Sequence, residues 1–155
     1  MTTATVLSRG ALRLVLLDLG LACCAVEYAS AALLGDALSL LGATEGPLPV
    51  ANVLVVSGTL TDRIAPAVRR LYDGLAEPRR VISFGACANS GGPYWDSYSV
   101  TKGVDQLVPV HVSVPGCPPR PEALIYAVMQ LQKKVRGEAF DNYGTQLPMV
   151  DAWTR

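Results

Sequence analysis

Apolar positions along the chain fall into short blocks that alternate between strand-like runs and helical spacing. Residues 12–17 (LRLVLL) form an aliphatic run with strand character. From residue 25 to 41 the chain is rich in Ala and Leu, and Val26, Ala29, Leu33, Ala37 and Leu40 recur at helical spacing. Residues 42–49 (GATEGPLP) read as a loop from their Gly and Pro content. Residues 53–57 (VLVVS) are too uniformly apolar for a half-exposed strand, so a buried one is expected, ended by Gly58. Thr59-Leu60-Thr61-Asp62 resembles a capping box and predicts a helix to about Leu75. Residues 80–84 (RVISF) predict the next strand, ended by Gly85. Residues 106–114 (QLVPVHVSV) predict another, interrupted near Pro109. Pro121 can open a last helix, since a proline at the first position loses no needed hydrogen bond. Leu124, Val128, Leu131 and Val135 form its apolar stripe. Lys133, Lys134 and Arg136 suit its C-terminal end, and Gly137 stops it. Residues 138–155 show no clear period.

Strands alternating with helices predict an α/β fold with a mostly parallel sheet. The 155 residues fit one domain, with a core over about 12–136 and a tail over 138–155. Thirteen basic residues balance thirteen acidic ones, and only 17% of residues are charged while 50% are hydrophobic. That balance argues against intrinsic disorder and gives no bulk electrostatic reason to bind nucleic acid. It also suggests that some apolar surface is covered by a partner. The greasiest stretch, residues 11–25, contains Arg13 and Asp18 and falls short of the ~18 apolar residues of a spanning helix. Arg9 and Arg13 ahead of it give a superficial likeness to a signal peptide, which Asp18 counts against.

Four cysteines change the picture. Cys23 and Cys24 follow the first strand-like run, Cys87 follows RVISF, and Cys117 follows VHVSV. All four are expected at the carboxyl ends of strands, where ligands bind in such sheets. Cys24 and Cys87 are 63 residues apart and Cys87 and Cys117 are 30 apart, each enough for a helical crossover. Four converging thiolates can hold zinc or an iron–sulfur cluster. Structural zinc favours two close pairs, whereas here one pair exists and its members are adjacent. Adjacent side chains diverge in regular structure, so both can ligate only on irregular backbone around a bulky centre. Four small buried hydrophobes is the alternative reading, because free cysteine is often buried.

Other features carry less. His111 is the single histidine and excludes a His-rich site. It reads as a surface or capped core residue. Gly91-Gly92 is a weak phosphate-loop candidate, and no P-loop or dinucleotide fingerprint is present. Tyr94, Trp95 and Tyr98 sit beside Cys87 and either pack the core or face a partner, interfaces favouring aromatics. Glu27 either tunes a redox centre or complements a helix dipole.

Cys23-Cys24-Ala25-Val26-Glu27, Ser57-Gly58-Thr59-Leu60-Thr61, Gly85-Ala86-Cys87-Ala88-Asn89 and Val114-Pro115-Gly116-Cys117-Pro118-Pro119 resemble the B subunit of NADH-quinone oxidoreductase, respiratory complex I. The flanks Ala76-Glu77-Pro78-Arg79, Ser97-Tyr98-Ser99-Val100 and Leu131-Gln132-Lys133-Lys134 fit as well, and the likeness spans roughly residues 12–136. The resemblance implies a flavodoxin-like fold, shared with small subunits of nickel–iron hydrogenases. It implies one [4Fe–4S] cluster on Cys23, Cys24, Cys87 and Cys117 that passes electrons to quinone, with Glu27 as a nearby tuning candidate. It implies partners: a larger catalytic subunit that forms the quinone site with this chain, a ferredoxin-like iron–sulfur subunit and membrane subunits. The expected location is peripheral, on the cytoplasmic side of the cell membrane. The alternatives are the proximal-cluster subunit of a membrane-bound hydrogenase-related complex and a zinc-stabilised binding module. The tandem cysteines favour complex I, since hydrogenase small subunits usually separate that pair by two residues. The chain departs from the family pattern at Tyr28-Ala29, where Met-Met is usual. It also departs over residues 42–52, which lack the usual arginines, and at Pro93-Tyr94-Trp95-Asp96, which replaces a Tyr-Tyr-rich sequence.

Overall fold

The computed structural model describes residues 3–9, 12–18, 22–33 and 51–135. Five strands form one sheet in the order β1-β2-β3-β4-β5. They are β1 (Thr3–Arg9), β2 (Leu12–Asp18), β3 (Ala51–Ser57), β4 (Arg79–Phe84) and β5 (Val112–Val114). β1 is antiparallel to β2, and β2 through β5 run parallel. The helices are α1 (Cys23–Leu33), α2 (Ala65–Asp73), the short α3 (Ala86–Ser90) and α4 (Pro121–Val135). This is the expected flavodoxin-like α/β architecture: a mostly parallel sheet flanked by helices. The greasy stretch near the N-terminus supplies β2 and the start of α1.

β3 is buried at every position because helices cover both sheet faces. On one face Val53, Val55, Ile82 and Phe84 meet Cys24, Tyr28 and Ala31 of α1 and Leu124, Val128 and Leu131 of α4. On the other, Leu54, Val56 and Val81 meet Val68 and Tyr72 of α2, with Leu60, Val104 and Val108. Each fully buried valine or leucine contributes roughly 1.5–3 kcal/mol relative to exposure. Pro121 opens α4, and its Leu124, Val128, Leu131 stripe faces the core as expected.

Three local expectations are corrected. The tandem cysteines do not sit on irregular backbone; they form the first turn of α1, which starts at Cys23 rather than Ala25, and their sulfurs still hydrogen-bond to each other, so adjacent helical positions do not separate them. Thr59 to Asp62 do not cap a helix. Thr61 bridges Val100, the Asp62 carboxylate accepts from the Thr101 hydroxyl at 2.8 Å, and α2 opens at Ala65 with Pro66 in its first turn. Tertiary partners took the capping groups. Finally, only Val112–Val114 of the QLVPVHVSV run is strand, because Val104–Gln106 turns as a 3-10 helix and Val108 packs on the α2 face. The expected continuation of α1 over 34–41, the loop over 42–49, the stop at Arg136-Gly137 and the tail over 138–155 lie outside the described residues.

Candidate metal centre

The four parallel strands end on one side, at Asp18, Ser57, Phe84 and Val114. Cys23 and Cys24 follow β2, Cys87 follows β4 in α3, and Cys117 follows β5. The topology therefore carries all four thiols to the carboxyl edge of the sheet. Cys24 and Cys87 are buried, Cys23 and Cys117 are exposed, and all are free thiols.

Cys23 and Cys24 occupy the N-terminal turn of α1, where unsatisfied N–H groups and the helix dipole favour a negative sulfur. Cys24 points inward and is 1% exposed. Burial pushes its thiol up to about 11. Charge on Cys23 and Cys87 and a sulfur hydrogen bond with Cys23 add to the rise, and a Gly58 N–H donating to the sulfur opposes it. Cys23, Cys24 and Cys87 thus share one electrostatic neighbourhood. Cys117 joins through the backbone: the Ala86 N–H donates to the Gly116 carbonyl at 2.8 Å, and the Gly85 N–H donates to the Val114 carbonyl at 2.9 Å. The Asn89 amide also donates to the Val114 carbonyl at 3.0 Å. The turn carrying Cys87 and the loop carrying Cys117 are therefore locked together.

Gly85 shows how tightly the backbone closes on the sulfur. Its φ is +93°, and a Cβ there would lie 2.5 Å from the Cys24 Sγ. Only glycine satisfies both the conformation and the contact. Gly92, at the start of a 3-10 turn, leaves similar room beside Cys87, where a Cβ would lie 3.0 Å from its Sγ. The double glycine is thus a packing device for the Cys87 helix rather than a phosphate loop.

Among the described residues, no three His, Cys, Asp or Glu side chains are grouped so as to hold a single metal ion. The thiols reach the edge on three segments: α1, the short α3 and the loop after β5. Four thiols with glycine backbone beside the Cys24 and Cys87 sulfurs are a donor set that suits zinc or an iron–sulfur centre.

The remaining candidates sort clearly. Glu27 lies one turn beyond Cys23 on α1 and is partly buried. Tyr94, Trp95 and Tyr98 are exposed, Tyr98 almost fully at 98%, and Lys102 sits 5.4 Å over the Trp95 ring. Of the two expectations for these aromatics, packing in the core is thus not met. His111 is a capped, partly buried residue away from the thiols: its Nδ1 accepts the Val81 N–H at 3.1 Å. Burial lowers its pKa, and nearby Arg80 and Lys134 lower it further. Ser57 has no place among the residues that sequence reasoning puts at the site. It is 2% exposed at the end of β3, and its hydroxyl has no partner among the described residues. The available signal was a polar residue closing an otherwise apolar strand just before Gly58. No helix among the described residues is long and apolar enough to cross a membrane.

Comparison with known proteins agrees with this arrangement. Residues 16–131 match the family described as NADH ubiquinone oxidoreductase, 20 Kd subunit. The chain is 54% identical over 134 residues to the first of the NADH-quinone oxidoreductase B subunits of Salinispora tropica, covering 84% of this chain and 71% of that protein. It is 49% identical over 138 residues to NADH-quinone oxidoreductase subunit 6 of Thermus thermophilus, covering 88% and 76%. A solved chain from the membrane-bound sulfane sulfur reductase, an archaeal respiratory membrane complex, shares the fold with a TM-score of 0.52. Its sequence identity is 24%, over 66% of this chain and 64% of that one. With the cysteine edge, the sheet and the matched span in agreement, the chain belongs to the B-subunit family of NADH-quinone oxidoreductase, whose members are components of an oxidoreductase complex.

Proposed function

We propose that this chain is the iron–sulfur electron-transfer subunit of a membrane-associated quinone oxidoreductase. In this reading Cys23, Cys24, Cys87 and Cys117 hold one [4Fe–4S] cluster. The observation that carries it is the convergence of four free thiols, two buried and two exposed, on the carboxyl edge of one parallel sheet. The cluster supplies single-electron transfer when bound.

The chain's own residues supply the setting. Cys24 and Cys87, both buried, keep one side of the site dry, which strengthens every charge interaction there. The Gly58 N–H donates to the Cys24 sulfur and the α1 N-terminus faces the tandem thiolates, so fixed dipoles stabilise negative sulfur. Gly85 lets the backbone approach without displacing that sulfur. Cys23 and Cys117 lie toward solvent, so the open side of the site needs a cover. The exposed Tyr94, Trp95 and Tyr98 beside it supply an aromatic face for the larger catalytic subunit, with quinone reduced at that interface. A ferredoxin-like subunit and membrane subunits complete the assembly, and the chain docks peripherally on the cytoplasmic side of the membrane. The half-apolar, sparsely charged composition supports a subunit whose faces are covered.

The test is electron paramagnetic resonance on the anaerobically purified complex. Chemical reduction is expected to produce a cluster signal that added quinone abolishes. A signal that persists with excess quinone would overturn the quinone assignment, and a spectrum left unchanged by Cys24→Ala would overturn the cluster at this site.

A further inference from the structure

Ser57 is the last residue of β3, at the edge that carries the cysteines. By strand alternation it shares a face with Val53 and Val55, and its register partner on β4 is Phe84. That face packs against Cys24. The following residue, Gly58, already donates its N–H to the Cys24 sulfur. The hydroxyl is buried, and no partner meets it among the described residues. A second buried serine in the neighbouring strand behaves differently. Ser83, on the opposite face of β4 and 1% exposed, donates its hydroxyl to the Asn89 side-chain oxygen. The fold therefore closes a buried serine where protein surrounds it, and leaves open the one beside the thiols. Buried polar groups are rarely left unmet, so an open donor at a binding edge points to a missing acceptor.

We propose that the Ser57 hydroxyl donates a hydrogen bond to a sulfide of the bound cluster and so raises its reduction potential. The inference rests on the cluster reading above. Its physical basis is charge. The reduced centre carries one more negative charge than the oxidised one, so a fixed O–H donor stabilises the reduced form more. No atom is transferred; Ser57 is a positioning and tuning residue.

The experiment is a redox titration followed by electron paramagnetic resonance, on the intact, anaerobically purified complex carrying wild-type Ser57, Ser57→Ala or Ser57→Thr. Iron and sulfide content should stay equal in all three. The midpoint of Ser57→Ala should move negative. At the wild-type midpoint its reduced-to-oxidised ratio should fall about three- to tenfold, the differential effect of one charge-assisted hydrogen bond. Ser57→Thr should stay near wild type. An exchangeable-proton coupling present in wild type should be missing in the alanine variant. If the alanine variant does not assemble, Ser57→Thr against Ser57→Val makes the same comparison, because valine is the hydroxyl-free isostere of threonine. An unchanged midpoint with full cluster content would overturn the inference and leave the cluster standing. A complex that loses no iron on Cys24→Ala would overturn the cluster reading and the inference with it.

Discussion

The two ends of β3 solve the same problem in opposite ways. At its amino end, buried Asn52 donates its side-chain amide to the Ala76 carbonyl at 2.7 Å, and its backbone N–H reaches the Pro78 carbonyl at 2.9 Å. Arg79 beside it pairs with Glu77 at 2.6 Å, donates to the Tyr72 carbonyl at 3.2 Å, and lies 4.6 Å over the Tyr72 ring. These polar groups are consumed by the protein itself. At the carboxyl end, buried Ser57 has an open hydroxyl, Gly58 and Gly85 strip the backbone bare, and two buried thiols face inward. One end is closed by the protein itself, and the other leaves a buried hydroxyl open beside two buried thiols.

The contrast breaks most sharply at the thiols. Cys24→Ala should abolish this cluster in the complex, with a loss of about four iron per chain, because the tetrathiolate set is then incomplete. Full retention of iron would remove Cys24 from the ligand set. Next in size is Gly85→Ala. It forces a Cβ onto the Cys24 Sγ and a side chain into positive φ, which alone costs roughly 1–2 kcal/mol. Both cluster occupancy and denaturation midpoint should drop. Gly74→Ala, at the end of α2 with φ −79°, should leave occupancy untouched. Equal effects of the two substitutions would deny the carboxyl edge its special closeness.

The amino end gives the reverse pattern. Asn52→Ala should cost about 1–3 kcal/mol in urea unfolding by orphaning the Ala76 carbonyl, with no change in cluster midpoint. A shifted midpoint would mean the two ends are coupled. The smallest effect is at His111. Its neutral Nδ1 accepts the Val81 N–H, and burial with Arg80 and Lys134 nearby depresses its pKa below 6.5. The unfolded chain then binds a proton that the folded chain refuses. Stability from His111 is present above about pH 6.5 and is lost as pH falls through the lower folded value. His111→Asn keeps an acceptor and should flatten this acid loss in denaturation midpoints measured from about pH 8 to about pH 5. An unchanged slope would show that His111 does not carry it.

Much of the fold was legible where one physical signal dominated. VLVVS is a buried strand because its apolar run is unbroken up to Ser57, RVISF ends as a strand at Gly85, and Pro121 with its apolar stripe marks α4. The cysteine edge was legible because parallel strands put every carboxyl end on one side. The sequence misled where tertiary partners outbid local ones. Asp62 looks like a cap, yet its carboxylate accepts from the Thr101 hydroxyl and its N–H goes to the Ser99 carbonyl, and Pro66 was the better helix signal. The tandem cysteines enter α1 although cysteine is a weak helix former, since burying Cys24 under the sheet outweighs propensity. Ser57 stayed invisible because its meaning lies in a partner it lacks, and a missing partner has no pattern in sequence.

The central claim is that the carboxyl edge of the sheet holds a four-iron centre on Cys23, Cys24, Cys87 and Cys117. Metal and acid-labile sulfide counted per chain in the anaerobically purified complex test it most directly, with Cys24→Ala and Cys87→Ala variants prepared in parallel to isolate this site's share. The account predicts that each variant loses about four iron and about four sulfide relative to wild type, with no zinc gained or lost. Loss of one zinc and no iron on either substitution would contradict it.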